Sequence, residues 1–325
     1  MISRRTLIAA LGAAPVVLSR PAFAAYPDHP IRMVVPFAAG GNADIVARIV
    51  SARMSEELGQ PIVIDNRAGA GGSIGAEAVA RSGPDGYTLL VGSNGPLTVN
   101  PFVQAKLGYD PLKDFAPIAL TSYVPHAIIV HPAVEAKTVA ELVALSQRMS
   151  ISIGTSGVGS ATHLTLERFN AQTGAKLTHI PYRSGGALLP DLIAGNIQAA
   201  MTELSTAAPL HHAGQGRIIA IAAAQRSQLA PDVPTMIESG VKDFTAASFI
   251  GILAPATTPP TVIAQLEAAV AGALRTGPVV DKLHELGAEL ATAEQMTPAG
   301  FRAFIQTDFD RSRDAAKLAG LVPMR

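Results

Sequence analysis

Ile31-Arg32-Met33-Val34-Val35-Pro36-Phe37-Ala38-Ala39-Gly40-Gly41-Asn42 is the stretch that sets the architecture of this chain. Its first six residues form a largely apolar run of strand length, read as a buried β-strand. Phe37 to Asn42 is a tight glycine turn, and a helix follows from about Ala43 to Leu58, closed by Gly59. Outward from it the same order recurs. Pro61 to Asn66 reads as a second strand, Ala68-Gly69-Ala70-Gly71-Gly72-Ser73 introduces a helix from about Ile74 to Ser82, and Tyr87 to Gly92 is a third strand. Strands alternating with longer helices imply an α/β protein with parallel sheets.

The pattern continues after a crossing of the chain. Ile118–Leu120 and Ala127–Val130 read as short strands around an expected crossing near Tyr123-Val124-Pro125. Ile151–Gly154, Leu177–Pro181, Ile197–Thr202 and Ile218–Ala223 are further strands, with helices over Ala161–Gln172 and Ala187–Ala194. Phe249–Ala254 reads as a strand returning to the first domain, and helices over Thr261–Arg275, Pro278–Leu286 and Thr297–Ala319 end the chain.

Residues 1–24 carry a different message. Ser3-Arg4-Arg5-Thr6-Leu7 is a charged start, Leu7 to Leu18 is apolar, and Ala22-Phe23-Ala24 has the small-x-small form of a signal-peptidase site. The apolar run is too short to span a bilayer and Pro15 interrupts it. An exported protein is expected, by the general secretory route or, given the paired arginines, the twin-arginine route. Leu7 stands where the twin-arginine signal usually has phenylalanine.

Composition narrows the function. About 300 mature residues exceed one average domain, so two are expected. Apolar residues make up 48 % and charged residues 15 %, enough for a large core. Loss of Arg4, Arg5 and Arg20 leaves 22 of the 25 basic residues against 25 acidic ones, a net charge of about −3 that suits no nucleic-acid partner. There is no cysteine, which excludes disulfides and thiolate chemistry. No later segment is long and apolar enough to embed the mature protein in a membrane.

Three loops share one design of strand, small residues and helix start: Phe37–Asp44, Thr155–Thr162 and Tyr182–Ala187. Free backbone N–H groups and the positive end of a helix dipole make such points anion sites. In open α/β sheets, ligands gather at the carboxyl ends of strands, where these loops lie. Any one of them is also an ordinary βα connection; their recurrence points to a carboxylate or phosphate ligand. Glu203, directly after a strand, stands equally between a ligand-facing and a solvated role, whereas helix capping accounts for Asp44.

Other chemistries fail on spacing. Gly69 and Gly71 would need a glycine at 74 for a dinucleotide fingerprint, and Ile74 is there; no Walker lysine follows a glycine loop. Gly154-Thr155-Ser156-Gly157-Val158 lacks the final glycine of a nucleophile elbow, and Ser93 and Ser160 lack the pattern too. His211-His212 are adjacent, and His163 with Glu167 is a common helix-surface pair, so no metal site and no cofactor are expected.

Tyr26-Pro27-Asp28-His29-Pro30 leading into Ile31–Gly41 resembles the mature start of the Bug-type receptors, the periplasmic solute-binding proteins of tripartite tricarboxylate transporters. Asp44–Arg48, Leu58–Pro61, Asn66–Gly72, Pro84–Leu90, His179–Arg183 and Pro231–Thr235 extend the likeness over essentially all the mature chain. The resemblance implies a two-lobed, hinged α/β receptor of the type II periplasmic-binding-protein or Venus flytrap architecture, without catalysis. One lobe would comprise residues 26–124 plus 248–325, the other residues 125–247. Carried over by position, the ligand would meet Phe37, Ala39, Gly40, Gly41, Asp44, Ser93, Ser156, Ser160, Thr162, His163, Ser184, Gly185 and Glu203. The family commonly has prolines where Ala38-Ala39 stand, and aspartate in place of Glu203.

The expectation is a monomeric periplasmic receptor that captures a small organic carboxylate, whether a di- or tricarboxylate, an aromatic acid or an acidic amino acid. It would deliver that ligand to inner-membrane permease subunits. Two alternatives stand beside it: an exported hydrolase-like enzyme working from Ser156, Ser160 or His163 in the same cleft, and a ligand sensor for a membrane signalling protein.

Overall fold

The structure, a computed structural model, describes residues 26–321. The expected export segment, residues 1–24, lies outside the described residues. Strand β1 (Ile31–Val35) is followed by α1 (Asn42–Leu58), β2 (Ile62–Asn66), α2 (Ser73–Ala80) and β3 (Thr88–Gly92). A short α3 (Asn100–Val103) leads to β4 (Phe115–Val130). Then come α4 (Val139–Arg148), β5 (Ile151–Thr155), α5 (Ala161–Thr173), β6 (Leu177–Pro181), α6 (Leu189–Ile193), β7 (Ala199–Glu203), α7 (Leu204–His212) and β8 (Arg217–Ile221). The last elements are β9 (Ala247–Pro255), α8 (Pro260–Arg275), α9 (Gly277–Glu285), β10 (Glu289–Leu290) and α10 (Pro298–Leu318).

Strands run in the order β2-β1-β3-β9-β4-β7-β5-β6, with β8 and β10 also on β4. At the two ends the pairing is parallel, β2-β1-β3 and β7-β5-β6, each linked by helices. The middle is antiparallel, and the switch occurs along β4. Phe115 to Pro125 pair with β9, whereas His126 to Val130 pair with β7. The chain therefore has two α/β halves joined side by side through one long strand, the two-lobed arrangement.

The expected pair of short strands around Tyr123–Pro125 is in fact this single strand. Register shifts after Pro117 and after Leu120 let it bend without breaking. Pro125 lacks an N–H, and it sits where the partner strand changes. The remaining elements form for local reasons. Ile31, Met33, Val34 and Val35 are fully buried, because helices cover both faces of a parallel strand. Gly59, at φ 67°, ends α1 in a left-handed turn. Thr138, Ser160 and Thr297 cap α4, α5 and α10 by accepting a backbone N–H. One apolar cluster runs unbroken from Ile31, Met33 and Val46 through Ile118 and Ile129 to Ala200, Leu204 and Ile218, so the halves share a core.

Candidate functional site

Helix α1 begins at Gly41, which offers its first turn no side-chain cap. Helix α7 begins at Glu203 and is uncapped in the same sense. Both starts face one small cavity, lined by Phe37, Gly41, Asn42, Ala43, Ser93, Gly95, Ser156, Ser160, Ala161, Ser184, Gly185, Glu203, Ser248 and Ile250. The orphan N–H groups of a helix start seek an acceptor, and the dipole favours a negative one. Around them the Oγ atoms of Ser93 and Ser156 and the Nδ2 of Asn42 are buried without a hydrogen-bond partner. Donors left in that condition are costly unless something else satisfies them.

The halves touch across this cavity. Ser205 Oγ donates to Asn42 Oδ1 at 3.1 Å, and the Ala38 N–H meets the Arg183 carbonyl at 3.5 Å. Glycine makes the approach possible: a Cβ on Gly41 would lie 3.2 Å from Ser184 Cβ, and one on Gly186 would lie 2.6 Å from the Gly40 oxygen. The enclosed space is about 20 Å³, room for roughly one water. A wider groove of about 510 Å³ adjoins it, sharing Phe37 and Ser156 and reaching Gly69–Gly72, Tyr182 and Arg183.

Glu203 is the charged group of the cavity, 7 % exposed. Burial pushes its carboxyl above the usual carboxylate range, although Ser248 Oγ donates to Oε1 at 2.9 Å and Thr202 Oγ1 to Oε2 at 3.3 Å. Behind Ser248 lies His126, fully buried and pushed down to about 3 by desolvation and then by the charge of Arg168. Its Nε2 is 2.9 Å from Ser248 Oγ, and its Nδ1 is 2.8 Å from Thr165 Oγ1. With Glu203 ionised, Ser248 spends its one proton on the carboxylate and accepts from Nε2–H. Nδ1 then accepts from Thr165, which fixes the tautomer of His126.

The other expected site residues divide into two groups. Phe37, Gly41, Ser93, Ser156, Ser160, Ser184, Gly185 and Glu203 line the cavity. Ala39 and Gly40 sit on its exposed rim. Asp44, Thr162 and His163 stand behind the loops and hold them. Burial raises the carboxyl of Asp44, but donors from Arg48 Nε, the Gly40 N–H and Asn66 Nδ2, each at 3.0 Å, outweigh it and leave the pKa lowered. Thr162 Oγ1 accepts the Ser156 N–H at 3.0 Å and lies 3.0 Å from Ser160 Oγ. His163 Nδ1 accepts the Gly159 N–H at 3.2 Å while its ring stacks on His179 at 4.2 Å. Desolvation and then His179 push His163 down to about 4.

Asn42, Ala43, Gly95, Ala161, Ser248 and Ile250 complete the lining and were absent from the expected set. Asn42 and Ala161 are neighbours of assigned loop residues, so the helix-start signal would have found them. Ser248 is brought in only by pairing of β9 with β4, which no local pattern reveals. Among the described residues, no histidine ring nitrogen is hydrogen-bonded to the Ser93, Ser156 or Ser160 side chains, and no group of three metal-ligating side chains converges.

Two α/β halves with uncapped helix starts facing a common cleft define a periplasmic binding protein fold, and comparison with known proteins narrows it. Residues 46–321 match the sequence model of the tripartite tricarboxylate transporter family receptor. This chain belongs to that family. It is 35 % identical over 289 residues to Protein BugT of Bordetella pertussis, with 88 % of each chain covered. It is 34 % identical over 297 residues to a protein of the TAR-I ttuE-ttuC' intergenic region of Agrobacterium vitis, covering 91 % of this chain and 86 % of that one. Among solved structures, the periplasmic binding protein BugD superposes with a TM-score of 0.88 at 32 % identity, covering 92 % of this chain and 100 % of the other. An R. palustris protein solved with adipate has a TM-score of 0.88 at 34 % identity, with the same coverage of 92 % and 100 %. MatC of Rhodopseudomonas palustris, with bound malate, gives 0.86 at 33 % identity over 89 % of this chain and 99 % of that one.

Proposed function

We propose that this chain is an exported, monomeric receptor that captures a small organic carboxylate between its lobes and delivers it to the permease subunits of a tripartite transporter. The lobes are residues 26–124 with 248–325, and residues 125–247. The observation that carries the reading is the set of unpartnered buried donors, Ser93 Oγ, Ser156 Oγ and Asn42 Nδ2, beside the uncapped start of α1. A carboxylate supplies the acceptors these groups lack, and neutral donors hold it reversibly. Glu203 faces the same space from β7 and repels a second bare carboxylate. It favours a ligand with a hydroxyl, an amino group or a protonated acid on that side. Because the enclosed space holds about one water, the lobes part to admit the ligand and settle around it in a wider closed form. Solved relatives of the family carry adipate and malate, which supports a carboxylate ligand. No helix among the described residues is long and apolar enough to cross a membrane, in keeping with a periplasmic receptor.

The test is a thermal-shift screen of the ligand-stripped mature protein against dicarboxylates, tricarboxylates, hydroxy acids, aromatic acids and acidic amino acids. A ligand at about a hundred times its Kd adds roughly 2.7 kcal/mol of stability. At least one acid is expected to raise Tm, with the rise lost in Ser93→Ala/Ser156→Ala. Failure of every acid to stabilise a folded sample refutes the reading.

A further inference from the structure

A larger cavity, of about 530 Å³, lies beside the junction of the lobes. On one side it is walled by α5, which carries Arg168, and on the other by α10, which carries Phe304, Asp308 and Arg311; Tyr123 and Phe249 from β4 and β9 form its floor. Arg168 and Arg311 both face it, and among the described residues neither has a carboxylate oxygen within 4.0 Å. The Arg168 guanidinium is held 4.8 Å above the Phe244 ring and donates once, from Nη1 to the Thr245 carbonyl at 3.3 Å. Its other donors are unassigned, and burial pulls its pKa down. Tyr123 Oη is buried without a hydrogen-bond partner.

Among the described residues no acid of this cavity forms an ion pair with those cations, although the charge of Arg311 reaches Asp308. Asp308 accepts from Thr98 Oγ1 at 2.6 Å and from Asn94 Nδ2 at 3.1 Å, and burial pushes its carboxyl toward the neutral form. Glu289 stands exposed at the rim. What remains is a concave, half-apolar space with unanswered donors from both lobes, in the size range of pockets that take small molecules. We propose that it is a second binding site, for a small organic anion with an apolar body, whose acid group is held by Arg168 and Arg311. A planar guanidinium is suited to a carboxylate, and the aromatic floor to a hydrocarbon tail. An occupant touches both lobes. It also meets His126 and Thr165, which line the same space and lead through Ser248 to Glu203.

The probe is phenylpropanoate, with phenylpropanamide as its uncharged counterpart, titrated calorimetrically into the mature protein. The acid is expected to bind, the amide about tenfold more weakly, and Arg168→Gln and Arg311→Gln each to weaken the acid by about tenfold. Arg311 is exposed, so Arg311→Gln tests the site without threatening the fold. Ser93→Ala/Ser156→Ala, which alters the cleft instead, is expected to leave the titration within about twofold. No binding to the wild type at about 10 mM, equal binding of the amide, or loss in the serine variant with both arginine variants unchanged each overturns the proposal. The first two outcomes leave the carboxylate reading of the cleft untouched, since it rests on its own screen, and the third would place the acid in the cleft and so support that reading while overturning this one.

Discussion

Replacing Glu203 by glutamine keeps the shape of a buried side chain and removes its charge, so its consequences separate cleanly. In the wild type the carboxylate takes one hydrogen bond from Ser248 and one from Thr202, and desolvation raises its pKa. A folded-state pKa above the unfolded value means that the folded state binds more protons. The wild type therefore loses stability as pH rises through the folded pKa, about 1.4 kcal/mol for each unit of elevation. Glu203→Gln does not titrate, so its stability relative to wild type should grow from pH 4 to pH 7. Binding should move in opposite directions for two kinds of ligand. A charge-assisted hydrogen bond from a ligand ammonium to Glu203 is worth about 2 kcal/mol, so its loss weakens an amine-bearing acid by about thirtyfold. A plain dianion loses a repulsion and binds as well or better. Calorimetry with one ligand of each kind, on wild type and variant, together with thermal unfolding across pH, checks all of this. Equal affinities of both proteins for both ligands would show that Glu203 does not face the ligand, and selectivity would then be sought in Ser93 and Ser184.

Gly41→Ala puts a Cβ 3.2 Å from Ser184 Cβ while leaving a backbone conformation, φ −86°, open to any residue. The lobes already meet at this contact and settle wider around a ligand, so the crowding falls on the free protein: its Tm should drop by about 2 °C or more, while affinity for the best acid of the screen stays within about threefold. Asp44→Asn removes the carboxylate that ties Gly40, Arg48 and Asn66, and should cost about 1–3 kcal/mol in urea unfolding at pH 7. The lowered pKa of Asp44 makes its contribution present above the unfolded value and lost as pH falls through the folded one, so the gap between the proteins should close in strong acid. His126, at about 3, and His163 and His179, at about 4, are all held neutral by burial. Their unfolded forms take up protons first, so stability should fall as pH drops below about 6.5, and His163→Asn should flatten that fall in a thermal pH series.

The alternation of apolar strand, glycine turn and helix is local, which is why β1, α1, β3, β5 and α5 are legible from their own residues. Helix α7 is not, because Pro209 sits within it and its Ala, Ser and Thr residues show no clear apolar face. Strand β4 reads as two pieces because proline usually ends a strand, and only the exchange of partners at Pro125 and His126 makes it one. The same division holds at the cleft. Loop residues such as Gly41, Ser156 and Ser184 are visible as helix starts, and Asp44 is visible as a capping group. Thr162 and His163 lie in the first turn of α5, directly after the loop of Ser156 and Ser160, yet their side chains turn back to brace the loop backbone, a choice set by packing against His179 and by the Ser156 and Gly159 N–H groups. Ser248 and Arg311 come from segments far along the chain and reach the junction only when the sheet is assembled.

Strand β9 lies between β3 and β4, more than a hundred residues after either of them begins. Until residues 247–255 have been made, β3 has no neighbour on that side, and the first part of β4 has none to pair with along its length. A growing chain can thus complete the parallel unit β1–β3 early, but it must wait for its last quarter before the two units are stitched together. The core that passes through β4 is shared, so neither unit can be cut away as a self-sufficient piece. Removal of everything after α7 would leave two open sheet edges rather than a smaller receptor. For this molecule the order of synthesis and the order of assembly differ, and the strand that closes the sheet is among the last to arrive.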